Sequence, residues 1–156
     1  MLKIALSRST FELLVKHLRE IEEEKDRIIE EYYPNITEDR DEFNHLISTY
    51  IKEVENYISK AEVKDTIGED CPFVIIGSIV EVEDLTYNET EKFQVVSPFI
   101  NKLSSNWECA SYLSPLGKAL LLKRVNEKVE IETPAGKSAY RIKSIKLPKE
   151  SATNIA

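Results

Sequence analysis

Glu38, Asp39, Asp41 and Glu42 place four carboxylates within five positions, immediately after a Pro-Asn break. Oxygen ligands crowded in this way suit a hard cation such as Mg²⁺, but a solitary site built from them would be weak, because Mg²⁺ demands near-octahedral oxygen coordination. Such acids could only complete a site on another molecule; the alternative is a solvated first helical turn in which the helix dipole favours negative charge. A second acidic run, Glu20 to Glu31, reads either as a docking face for a basic partner or as a solvated helix flank with i,i+4 pairs such as Glu23 with Arg27. His17 and His45 have no third ligand in view and read as flank residues. Cys71 and Cys109 lie far apart, outside any CxxC or Cys/His cluster, so they read as ordinary reduced thiols rather than a zinc site or disulfide. The basic segment Lys118, Lys123, Arg124, Lys128, Lys137, Arg141, Lys143 and Lys146 suits nucleic acid, an acidic protein surface or plain solvent. Gly-rich phosphate loops, G-x-S-x-G and H-E-x-x-H do not occur, and no catalytic residue of the chain's own is indicated.

The elements that must position these groups change character along the chain. Its 156 residues, 42% apolar and 31% charged, are too few for a large multi-domain enzyme, and their composition is that of a folded protein. A net charge of −7 repels bare phosphate backbone unless charge is segregated. No apolar run approaches a membrane span, and MLKIALSRST is too quickly polar for a signal peptide; a cytoplasmic protein without membrane partners is expected.

Before residue 62 there is no Gly and a single Pro. Phe11, Leu14, Leu18, Ile21, Lys25, Ile28 and Tyr32 alternate spacings of 3 and 4, an a/d stripe broken only by Lys25. Ser9 or Thr10 would cap this helix. A second stripe runs through Phe43, Leu46 or Ile47, Tyr50, Val54, Tyr57 and Ala61, with Thr37 as cap. Helices over about 10–33 and 38–61 must fold back as an antiparallel coiled-coil hairpin about 36 Å long. The expected division is a hairpin over 1–62, a linker over 63–71, a β domain over 72–149 and a tail over 150–156.

In the second part the period becomes two, with strand candidates at Val74–Glu83, Glu91–Ser97, Lys128–Thr133 and Ser138–Leu147, and a short helix from Ser114-Pro115 to Leu122. The fold class is α+β, a hairpin followed by a small antiparallel sheet domain with one helix. Its expected core is Tyr112, Leu113, Leu116, Leu120, Val129, Ile131, Tyr140 and Ile142. Residues 9–62 hold 15 acids against 7 bases, whereas residues 118–149 hold 9 bases against 3 acids, so the arm is acidic.

The run Ser114-Pro115-Leu116-Gly117-Lys118-Ala119-Leu120-Leu121, then Lys123-Arg124-Val125-Asn126-Glu127, Val129 to Gly136 and Tyr140-Arg141-Ile142, resembles the C-terminal domain of the GreA/GreB bacterial transcription elongation factors. Ile76 to Val80 with Asp84 looks like that domain's first strand, so the resemblance covers residues 72 to 147. It implies an FKBP-like C-terminal domain that binds the rim of the secondary channel of bacterial RNA polymerase through Ser114, Pro115, Leu116, Gly117, Lys118 and Asp84, with the coiled coil inserted toward the active centre. Contact with nucleic acid is then only indirect, within the transcription complex. Cleavage-competent members carry D-L-S-E at the tip, whose two acids help to hold a polymerase Mg²⁺; no tightly bound metal or cofactor of the chain's own is implied, only that shared ion, near Glu38, Asp39, Asp41 and Glu42.

The matching tetrapeptide is Asn35-Ile36-Thr37-Glu38, with Asn where the family has Asp. The arms are about ten residues shorter than those of typical cleavage factors, a reach shorter by roughly 15 Å, as in the Rnk-like regulators. Leu122 replaces a Gly usual after Ala-Leu-Leu. The reading is a regulator of elongation without strong cleavage stimulation; its rivals are a coiled-coil interaction module or holdase, and an FKBP-like prolyl isomerase, for which the domain offers few pocket aromatics.

Overall fold

The structure, a computed structural model, describes residues 4–65, 71–99 and 108–147. The chain divides into two compact units, Met1–Gly68 and Glu69–Ala156.

The first unit is built on β1 (Ala5–Ser7), α1 (Arg8–Tyr32), α2 (Glu38–Ser59) and β2 (Glu62–Lys64). At 1.5 Å per residue the two helices are about 37 and 33 Å long. Leu14, Ile21 and Ile28 of α1 are buried, as are Phe43, Ile47, Tyr50, Ile51 and Val54 of α2, so each narrow stripe is covered by the other helix. The cap of α1 is Ser7, two residues before the expected Ser9, and its side chain accepts the Thr10 N–H at 3.1 Å. Tyr32, placed on the stripe by spacing, is half exposed; Tyr33 packs inward instead, stacked on Phe43 with ring centroids 5.2 Å apart. Lys25 keeps its seam position and reaches Ser48 Oγ at 3.4 Å.

A feature absent from the sequence reading closes the open end. β1 and β2 pair in parallel, Ala5 with Glu62, Leu6 with Val63 and Ser7 with Lys64, which buries Leu6 and ties both chain ends of the hairpin together. Three-residue strands are too short to show a period of two.

The second unit contains β3 (Ile79–Asp84), β4 (Glu89–Val96), β5 (Glu108–Ser111), α3 (Pro115–Leu120), β6 (Lys128–Thr133) and β7 (Gly136–Lys146). The strands form one sheet in the order β5-β4-β3-β7-β6. The expected all-antiparallel sheet is corrected at one edge: β5 runs parallel to β4, making the sheet mixed. A second correction concerns Val74 to Ser78, expected as strand. These residues form a buried turn in which Ile75 N–H donates to Ser78 Oγ at 2.9 Å and Gly77 takes φ 103°, and β3 starts only at Ile79. An apolar run shows burial, and the backbone reversal at Gly77 decides the conformation.

Val80, Val82, Val95, Tyr112, Leu120, Val129, Ile142 and Ile145 make the core. Of the eight expected core residues, Tyr112, Leu120, Val129 and Ile142 are buried, while Leu113, Leu116, Ile131 and Tyr140 are half-buried. Ile131 lies on the edge strand β6, where one flank is open to water. No helix among the described residues is long and apolar enough to cross a membrane.

Candidate functional site

Two sets of residues gather the groups singled out by sequence, one in each unit. At the hairpin tip α1 closes with the Tyr33 N–H donating to Ile29 O at 3.0 Å. Residues 33–37 form the connection, and Thr37 starts α2 as its cap, its Oγ1 accepting the Arg40 N–H at 3.2 Å. Glu38, Asp39, Asp41 and Glu42 occupy the first turns of α2, all exposed, where their charge opposes the partial positive charge of the helix N-terminus. Burial and the neighbouring charge of Asp39 raise the Tyr33 phenol above its usual range. Among the described residues no three His, Cys, Asp or Glu side chains meet in a way that could hold a metal ion.

In the second unit the stretch before α3 is held by a chain of short bonds. Ser114 N–H donates to Ser111 O at 2.9 Å, Ser114 Oγ donates to the same oxygen at 2.7 Å, and Ser114 Oγ accepts the Gly117 N–H at 3.2 Å. Pro115 sits in the first helical turn with no amide to leave unpaired. Gly117 is buried because α3 lies directly on the chain beneath it: a Cβ there would overlap the Ser111 carbonyl oxygen and fall 2.6 Å from its carbon. This packing leaves Pro115 and Lys118 exposed and Ser114 and Leu116 half-exposed, so one short rigid surface carries all four.

Asp84 is not part of that surface. It ends β3, buried, and its Oδ1 accepts the N–H groups of Thr86 at 2.8 Å and Tyr87 at 3.3 Å, which shapes the β3–β4 turn. The register brings further acids beside it. Glu89 is opposite Asp84, Glu91 opposite Val82 and Glu108 opposite Phe93, so all four carboxylates share one sheet face with Tyr140. Burial, then the charges of Asp84, Glu108 and Glu89, push the Glu91 carboxyl up. Burial with Asp84 and Glu91 does the same to the Tyr140 hydroxyl. Scattered over three strands, this cluster leaves no spacing signature in the sequence.

Three members of the basic run lie among acids. On the outer sheet face Arg141 pairs in register with Glu83 and Lys128, and Lys137 with Glu132, while Lys128 Nζ lies 3.6 Å from Glu130. Bases alternate with acids there. His17 sits in the hairpin seam with Nε2 2.8 Å from Tyr50 Oη, whereas His45 is exposed, so only His45 is the flank residue expected. Cys71 is buried and Cys109 exposed, and neither is in a disulfide.

A two-helix hairpin followed by a small mixed β-sheet unit with one capped helix defines the class of fold. The family model for "Transcription elongation factor, GreA/GreB, C-term" matches residues 69–147. Transcription elongation factor GreA of Thermotoga petrophila is 29% identical over 161 residues, covering 93% of this chain and 98% of its own. Transcription inhibitor protein Gfh1 of Thermus aquaticus is 30% identical over 157 residues, covering 92% and 96%. Among solved structures, the crystal structure of GreA factor homolog 1 (Gfh1) of Thermus thermophilus shares 27% identity, with 92% of this chain and 99% of that one covered and a TM-score of 0.41. The chain belongs to the GreA/GreB family of transcription elongation factors.

Proposed function

We propose that the protein binds bacterial RNA polymerase in the cytoplasm and regulates elongation through the secondary channel, with little stimulation of transcript cleavage. The second unit forms the grip and the first unit the inserted arm. On the grip, Pro115, Lys118, Leu116 and Ser114 are the contact residues, supported by Gly117, which lets α3 sit close to β5. Asp84 contributes by shaping the β3–β4 turn.

The observation that carries the non-cleaving role is the tip. Asn35 stands where the family resemblance places one of two metal-holding acids, and a neutral amide oxygen attracts Mg²⁺ far less than a carboxylate. Glu38 alone keeps its place in the tetrapeptide, supported by the exposed Asp39, Asp41 and Glu42. Arms about ten residues shorter than those of typical cleavage factors reach roughly 15 Å less far, a deficit too large for coordination at about 2 Å. That one full-length relative is named a transcription inhibitor fits this role.

The test is co-elution of the purified chain with core polymerase on a sizing column, followed by a cleavage assay on a stalled complex. Co-elution is expected with weak or absent cleavage, and Asn35→Asp should restore little because the arm limits the reach. Failure to co-elute, or strong cleavage abolished by Glu38→Ala, would overturn the reading. Recovery of many unfolded clients and no polymerase would favour the holdase.

A further inference from the structure

One apolar side chain of the hairpin stands far above the others in exposure. Ile36 is 87% exposed, against 38% for Val15, the next most exposed aliphatic side chain of the hairpin. It sits in the connection between α1 and α2, yet that connection is held on both sides. Before it, Tyr33 is stacked on Phe43 and its N–H donates to Ile29 O; after it, Thr37 caps α2 and its carbonyl accepts the Asp41 N–H at 3.1 Å. Pro34 removes further backbone freedom. With Tyr33 facing inward and Thr37 committed to the cap, Ile36 is presented to solvent and adds nothing to the packing of its own unit. The half-exposed Tyr32 ends α1 just before this connection, and the exposed carboxylates of Glu38, Asp39, Asp41 and Glu42 follow it.

A rigid, β-branched side chain gives up little rotamer freedom on burial, which suits it to anchoring. We propose that Ile36 is the apolar anchor of the tip: it enters an apolar slot on the protein partner, and the rim of that slot is cationic, so that the acids of the first turns of α2 meet positive charge as the side chain is buried. This inference rests on the polymerase reading above and names a contact distinct from any shared metal.

The experiment titrates core polymerase with wild type, Ile36→Ser and Ile36→Leu and compares dissociation constants, with thermal melts and sizing of each protein alone. All three should melt at the same midpoint, because Ile36 packs against nothing in its own unit. Ile36→Ser should bind roughly ten- to a hundredfold more weakly, the range expected for losing a fully buried Ile, and Ile36→Leu should stay close to wild type. Equal binding by wild type and Ile36→Ser would sink the anchor while leaving the polymerase reading intact. Equal losses in the Ser and Leu variants would assign the effect to the loop backbone and overturn the anchor too. A wild-type dimer that Ile36→Ser dissolves would make a second copy the occupant and overturn the proposal. No binding by wild type would remove the polymerase reading itself, and the anchor with it.

Discussion

Acidification is expected to weaken the hairpin through one side chain, His17. Its Nε2 lies 2.8 Å from Tyr50 Oη across the seam, and the two rings meet edge to face with centroids 5.9 Å apart. Burial lowers its pKa from 6.5 to about 4. Between those values the unfolded chain carries a proton on His17 that the folded chain refuses, so stability rises with pH across this window. The contribution is fully present above pH 6.5 and is lost as pH falls toward 4. The whole difference corresponds to roughly 3 kcal/mol, and lowering pH from 7 to 4.5 should remove about 2.5 kcal/mol of it. For a unit of this size that is a fall in melting temperature of roughly 10 to 20 °C. The assay compares melts of wild type and His17→Leu at pH 7 and pH 4.5; carboxylates titrate in both proteins, so the difference between them isolates His17. Because burial is the cause, Tyr50→Phe should cost about 1 kcal/mol at either pH through the lost hydrogen bond and leave the pH dependence in place. A ring proton resonance of His17 that titrates near 6.5 in the folded protein would refute the reasoning. So would parallel losses in wild type and His17→Leu.

Two further outcomes follow from the second unit. Pro115→Ala should weaken polymerase binding without a fall in stability, since Pro115 is exposed, whereas Ser114→Ala should also lower stability by about 1 kcal/mol because Ser114 caps α3; binding titrations read beside thermal melts separate the two, and unchanged binding in both variants would count against the proposed contact. A thiol reagent at pH 8 should modify Cys109 in the folded protein and reach Cys71 only on unfolding, because burial raises the Cys71 thiol to about 12; mass spectrometry of the labelled chain reads the outcome.

The hairpin was legible because its signal is long. Leu14, Ile21 and Ile28 repeat at seven residues, and Phe43, Ile47, Tyr50 and Val54 answer them on the second helix, so errors at single positions such as Tyr32 leave the pattern intact. Lys128–Thr133 was read at its observed bounds because it alternates and is closed by a turn at Gly136, whose φ of 125° asks for glycine. β5 was missed for the opposite reason: four residues, Glu-Cys-Ala-Ser, carry neither β-branched side chains nor a visible period, and only the ladder with β4 makes them a strand. His17 was read as a flank residue because spacing alone does not show that Tyr50 lies across from it.

The two departures that the family resemblance implies, at Leu122 and at Asn35, differ physically. Leu122 occupies the left-handed region at φ 67°, where a bulky side chain costs roughly 1 to 2 kcal/mol and Gly costs none. Its backbone is pinned there by its own N–H donating to Val74 O at 2.8 Å and by the Val74 N–H donating to Lys123 O at 2.9 Å. A Gly at this position therefore answers a backbone demand, and Leu meets the same demand under strain, with no charge altered. Asn35 is the reverse case. It is exposed, and it is not among the non-Gly residues with positive φ, which within the described residues are Asn88, Leu122 and Asn126. An Asn in place of the Asp that the resemblance implies leaves one negative charge fewer at a tip that is otherwise acidic. On the proposed reading, that missing charge at the end of the arm, rather than a change of fold, sets the action of this chain apart from that of cleavage-competent members.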